Sequence, residues 1–434
     1  MPPPEQPRRP ERRVVLLGAV GVAGAAALTG CTGHGGGGSA ATSAPTPSTP
    51  TGPTAEDLAA VREVLEARAA AVLSGDEGAF AATLAAASGA GHDRQLGALE
   101  AARALRVAHL VVSDVQLDRD PSALPGEPVL LATASFRYRV DDLDRGDRTA
   151  SSSLRMTRTG DRWQVAAETP TGAGATMPWL ALPAMAVRRG EHAVVAGTVD
   201  AQRLAAYAAV VDRAVPELDR DWSGTPSRVL VLAPGTPAEA GVLLGRDGAA
   251  PEVAATTEGP TDERGRATGD RVVLDPAAFD RLTPAGREVV LTHELVHVAV
   301  RATVPGRTAA WLSEGYADHV GYRRADVPVE RLLAPLLAEV RAGRGPSDLP
   351  RLDALAPAAG SIEVPYLAAW QAVEVLVAEH GEAAVRRLVV EGSATGTDAD
   401  TEAATDRALG SVLGTSRAAL VRRWRAHLDA LATG

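Results

Sequence analysis

The chain of 434 residues holds a single cysteine, Cys31, so no disulfide can form within it. It holds no lysine, and all 44 of its cationic side chains are arginine. Acidic side chains number 54, leaving a formal charge of −10, which argues against a nucleic acid as partner. A long apolar run near the N-terminus is also lacking. The stretch 14–28 is about 15 residues, short of the roughly 20 that a membrane-spanning helix needs and suited to a signal-peptide core.

That run follows a basic segment with Arg8-Arg9 and Arg12-Arg13 and ends at Leu28-Thr29-Gly30-Cys31. Leu-Thr-Gly-Cys resembles the lipobox of bacterial lipoproteins. The resemblance implies a signal peptide over 1–31, cleavage before Cys31, lipidation of that residue, and a protein anchored in the cell membrane on its extracytoplasmic face. A lone cysteine then has a specific use. Arg12-Arg13-Val14-Val15-Leu16 also looks like a twin-arginine export signal, a weaker match because arginine pairs are common in such segments. From 32 to 54 the chain is mostly Gly, Ser, Thr, Ala and Pro. With almost nothing apolar to bury it is expected to be a flexible tether.

Residues 291–300 read L-T-H-E-L-V-H-V-A-V. Thr283-Pro284 supplies an N-cap and a first helical residue, and Val289, Val290, Val296 and Val300 recur at helical spacing. On such a helix residues four apart share a face, so His293 and His297 can both reach one metal ion. Glu294 projects beside them, where it can take a proton from an attacking water. The plain alternative is an amphipathic helix that happens to carry three polar residues. A catalytic zinc needs a third protein ligand and an open position. Residues 311–320, W-L-S-E-G-Y-A-D-H-V, offer Glu314, which lies 17 residues after His297 and beyond a turn at Val304-Pro305-Gly306. Asp318 follows one helical turn later, placed to accept the spare N–H of a ligating histidine. His319 sits about 100° round the helix from Asp318 and is expected to face elsewhere. His34, His92, His109, His192, His380 and His427 have no partner at ligand spacing.

H-E-x-x-H followed by W-L-x-E-G-x-A-D resembles the gluzincin branch of the thermolysin-like zinc metallopeptidases. Carried onto this chain, the resemblance implies Zn²⁺ held by His293, His297 and Glu314, Glu294 as general base, Asp318 as the orienting carboxylate, and a peptide or protein substrate. A third histidine and a glycine shortly after the second histidine, the mark of a different branch, are lacking: Val298-Ala299-Val300-Arg301 follows His297. The helix led by Pro365-Tyr366 and running to His380-Gly381 resembles the tyrosine-led helix that closes the cleft in many such domains. Tyr366 is therefore the candidate oxyanion donor, with Tyr316, Tyr322 and His319 as alternatives and a purely structural tyrosine equally open.

About 380 residues follow the tether, too many for one ordinary core. Over 55–170 a helical pattern runs to about 84, broken at Gly75-Asp76, and a short helix follows at 95–105. Strand-like runs come next, at 108–117, 129–140, 151–158 and 162–167. Helices followed by an antiparallel meander resemble the NTF2-like α+β cone, expected here as a spacer or ligand-binding module. A Pro/Gly/Ala-rich linker is expected over 171–185. A zincin-like domain is expected over 186–434, with strands at 193–197, 228–232 and 271–274, a helix at 200–218, and a mostly helical C-terminal half. The fold class is thus α+β. Two other functions use the same residues: a metalloamidase directed at the cell wall, and a lipoprotein binding module with a vestigial metal site.

Overall fold

The computed structural model describes residues 18–20, 52–86, 88–124, 127–171, 176–245, 253–323, 329–356 and 362–433. Cys31 and nearly all of the expected signal segment and tether lie outside the described residues. The fold is α+β. Among the described residues no helix is long and apolar enough to cross a membrane.

A three-residue strand, β1 (Gly18–Val20), comes first, inside the segment expected to be cleaved off as a signal peptide, so the mature chain would lack it. Helices α1 (Ala55–Ser74), α2 (Glu77–Ala81) and α3 (Ala90–Leu105) follow. Thr54 opens α1 through a capping box with Asp57, and Gly75 closes it in the left-handed conformation, φ 68°, the position where a Cβ is disfavoured. Strands β2 (Val107–Arg119), β3 (Val129–Val140), β4 (Arg148–Thr159) and β5 (Arg162–Thr171) form an antiparallel meander in sequence order. In β3 the alternate residues Leu130, Ala132, Ala134, Phe136, Tyr138 and Val140 are buried, the period of two that a sheet with one wet face requires.

The connection expected as a linker over 171–185 is, in its described part, a packed element. Helix α4 (Pro178–Ala181) and its flanks bury Met177, Trp179, Leu180, Leu182 and Met185 in the core of the first unit. Tyr138 meets Trp179 edge to face at 5.1 Å. Trp179 and Leu180 line, with Leu65, Leu99 and Phe136, a void of about 20 Å³, room for about one water.

The second unit contains β6 (Ala186–Arg189), β7 (Ala193–Gly197), α5 (Ala201–Asp221), β8 (Val229–Ala233), α6 (Pro237–Leu244), β9 (Ala255–Glu258), β10 (Arg271–Leu274) and α7 (Pro276–Phe279). Helices α8 (Pro284–Thr303), α9 (Ala310–Tyr322), α10 (Val329–Arg341), α11 (Leu352–Leu355), α12 (Glu363–His380), α13 (Glu382–Glu391), α14 (Asp398–Leu413) and α15 (Arg417–Thr433) complete the chain. The sheet order is β1-β9-β10-β8-β7-β6. Strands β7, β8 and β10 run parallel, β9 is antiparallel to β10, and β1 pairs parallel with β9 at Gly18–Ala255 to Val20–Thr257.

Strands β7 and β8 are buried at every position, as expected of strands covered on both faces. Ala193, Val195, Val229, Val231 and Val272 face the helices, whereas Val194, Ala196, Leu230, Leu232 and Val273 join the core of the first unit. The two units therefore share a core across this sheet.

Arginines stitch the same boundary. Arg271 on β10 donates to Tyr138 Oη at 2.6 Å and pairs with Asp144 at 3.2 Å, and both side chains of the pair are almost fully buried. Arg148 on β4 is fully buried and donates to Glu258 Oε1 and to the carbonyl of Gly269, each at 2.6 Å. Removing one partner of a buried pair strands the other charge. Asp144→Ala is thus expected to cost about 3–5 kcal/mol and to shift one unfolding transition for both units in chemical denaturation. A loss below about 1 kcal/mol would show that the pair is no more than a surface bridge.

Candidate metal centre

Helix α8 begins as its sequence requires. Thr283 accepts from Gly286 N at 3.1 Å and Pro284 occupies the first turn. The helix packs under β9 and β10, and His293, Glu294 and His297 are all buried. The turn after it passes through Gly306, φ 81°, where a Cβ would collide with the carbonyl of Ala394. Helix α9 then returns across α8 and delivers Glu314 and Asp318. Gly315 has a clear function here. A Cβ on it would collide with the carbonyl of Ala369, so only glycine lets α12, which carries Tyr366, lie this close.

The three expected ligands meet. His293 Nε2 and His297 Nε2 are 3.0 Å apart, and Glu314 Oε2 lies 3.3 Å from the first and 3.4 Å from the second. A tetrahedral ion with bonds of about 2.0–2.1 Å separates its ligand atoms by about 3.3–3.4 Å. The triangle is therefore of the right size. Glu314 Oε2 is buried without a hydrogen-bond partner, a costly state for a carboxylate oxygen that a cation between the three groups would relieve. His293, His297 and Glu314 form a buried group that can hold a metal ion. Asp318 Oδ1 accepts from His293 Nδ1 at 2.8 Å, which turns Nε2 toward the centre and fixes the ring.

Electrostatics agree with a cation site. Burial alone would lower the pKa of His293, but the carboxylates of Asp318 and Glu314 outweigh it and raise the imidazole well above its ordinary value. Burial likewise tends to raise Glu314, yet His297 and His293 hold it down to about 2. The carboxylates thus favour positive charge at this point, which a metal ion between the three groups would supply.

Glu294 is fully buried. Its Oε2 accepts from Thr257 Oγ1 at 2.6 Å, and its Oε1 has no partner. Burial raises its pKa, moving a carboxylate base toward neutrality.

The four rival donors separate clearly. Tyr366 is buried, its ring lies 6.5 Å from that of His293, and it lines the cleft beside His297 and Glu314. Burial, then the carboxylates of Glu314, Asp318 and Glu294, raise its phenol well above the usual value, so it stays protonated and able to donate. Tyr316 instead packs edge to face on Trp222 at 5.8 Å, and Tyr322 stacks on Trp370 at 4.4 Å. His319 turns away from the centre, as its helical position predicts, and its Nδ1 bonds Glu374 Oε1 at 2.8 Å.

A cleft of about 470 Å³ runs from His297, Glu314 and Tyr366 past Val300, Val304 and Leu355 to Arg351 and the start of α14. A scan against protein-family models finds no match for this chain, and a search of the curated proteins finds none. What the site can do is therefore read from its own atoms. They comprise two imidazoles and a carboxylate around one point, a second carboxylate with a free oxygen, and a phenol; His297, Glu314 and the phenol line the cleft.

Thr257 and strand β9 are not legible in the sequence. The run from Val253 to Glu258 has no alternation, because its strand is covered on both faces. The β-branched pair Thr256-Thr257 was the one local signal available.

Proposed function

We propose that this chain is a zinc-dependent peptidase, tethered by lipid on Cys31 at the extracytoplasmic face of the cell membrane. The observation that carries the reading is the tetrahedral spacing of His293 Nε2, His297 Nε2 and Glu314 Oε2 beside a buried Glu294 carboxylate with one free oxygen. Zinc suits two imidazoles and a carboxylate, and when bound it acidifies water and polarises a carbonyl. Glu294 takes the proton of the attacking water and returns it to the leaving amine. Tyr366 donates its O–H to the oxyanion. Asp318 keeps the His293 ring in register by accepting from Nδ1.

Purified without chelators, the protein is expected to carry about one equivalent of zinc and to cleave members of a generic peptide library. Less than about a tenth of an equivalent, with no uptake on adding zinc, rejects the metal. Zinc without cleavage of any peptide, but with release of cell-wall amides, moves the chemistry to the amidase reading; zinc with neither leaves a binding module. For the anchor, Cys31→Ala is expected to move the protein out of the membrane fraction or leave its signal uncleaved. A mature N-terminus elsewhere, with soluble wild-type protein, would contradict it.

A further inference from the structure

We infer that Thr257 is the positioning residue of Glu294, and that the first unit holds Thr257 in place through Arg148. A carboxylate at the end of a glutamate turns freely about its last torsion, so a base with one working oxygen needs something to fix its plane. Thr257 is fully buried on β9, and its hydroxyl lies 2.6 Å from Glu294 Oε2 and 3.2 Å from the Glu294 carbonyl oxygen. Threonine suits this task because its β-branched side chain has few rotamers in a strand. Donation to Oε2 occupies that oxygen and leaves Oε1 as the one with no partner.

The strand itself is fixed from both sides. Thr257 pairs with Val272 of β10 in the antiparallel ladder. The next residue, Glu258, accepts from the fully buried Arg148 of β4 at 2.6 Å. Gly259 offers its carbonyl to Arg301 of α8 at 3.0 Å, and Arg301 is held in turn by Asp270 at 2.7 Å. The first unit thus touches the candidate site at one remove, through a strand rather than through a ligand pocket of its own. Thr257 itself does not reach the cleft.

Only the effect on turnover rests on the peptidase reading; the position of the carboxylate does not. The test uses the full chain as wild type, Thr257→Val and Thr257→Ser. Valine keeps the branched shape and loses the O–H, whereas serine keeps the O–H. Crystal structures should show the Glu294 carboxylate rotated in the valine variant and superimposable on wild type in the serine variant. An unmoved carboxylate in Thr257→Val overturns the inference, whether or not the protein cleaves anything. Where peptide cleavage is found, Thr257→Val should lower kcat roughly 10–100-fold with metal content unchanged and KM within about threefold. Thr257→Ser should stay within about threefold of wild type on both. A valine variant with bound zinc and wild-type kcat also overturns it. If wild type cleaves no peptide, the proposed function falls while the carboxylate position still decides the role of Thr257.

Discussion

Glu294→Gln is expected to abolish hydrolysis while leaving the metal bound. The two side chains have nearly the same shape, and Thr257 can donate to an amide oxygen as it does to a carboxylate. His293, His297 and Glu314 are untouched by the change, so ion uptake should stay near one equivalent. What disappears is the proton acceptor, because an amide does not accept a proton from water at neutral pH. General-base assistance is commonly worth ~10²–10⁴-fold, and in the proposed mechanism one group both accepts the proton and returns it, so the loss should lie at the upper end or beyond. Asp318→Asn should be milder, on the order of 10–100-fold, because it disturbs only the orientation and basicity of His293. The order of severity is part of the expectation. A peptide found in a library screen, followed by single-turnover rates with metal content measured on the same samples, provides the check. If the glutamine variant with zinc bound matched wild type on any substrate, Glu294 would not be the base.

Glu314→Ala is expected to empty the site without unfolding the chain. Loss of a carboxylate ligand should cost more than the roughly 10–100-fold in affinity typical of a lost outer partner. The fold should survive, because His293 keeps its bond to Asp318 when the Glu314 carboxylate is gone. The space vacated lies at the cleft wall, where water can enter. Ligand-linked stabilisation separates these effects. With zinc at about 100 times its dissociation constant, wild type gains about 2.7 kcal/mol against unfolding, and the variant should gain almost none at the same concentration. The two should unfold alike in chelator. A variant that still shows the wild-type zinc shift would remove Glu314 from the ligand set.

The features legible in the sequence are those written over a few residues. The four-residue step from His293 to His297 fixes a common helix face wherever the helix goes. The Thr283-Pro284 start of α8 and the closure of α1 at Gly75 are equally local. The order of helices and antiparallel strands in the first unit was readable for the same reason, since alternation in β3 spans a dozen residues. Strands β6 and β9 were not readable. They are four residues each, and β9 is buried on both faces, so neither carries enough periods to stand out.

Sequence alone determined which side chains are available for a site and which of them share a helix face, because backbone geometry repeats every few residues regardless of surroundings. Only the tertiary structure decided that Glu314 arrives 3.3 Å from His293 Nε2, that Tyr366 rather than Tyr316 faces the cleft, and that Thr257 holds Glu294. It also decided that Met177 to Met185, within the stretch expected as a linker, pack into a core shared by both units. Those outcomes depend on how α9 and α12 close over α8 and how β9 lies beside it. Such approaches are fixed by packing between segments tens of residues apart, where a single glycine at 315 or a buried arginine at 148 sets the distance and no local pattern records it.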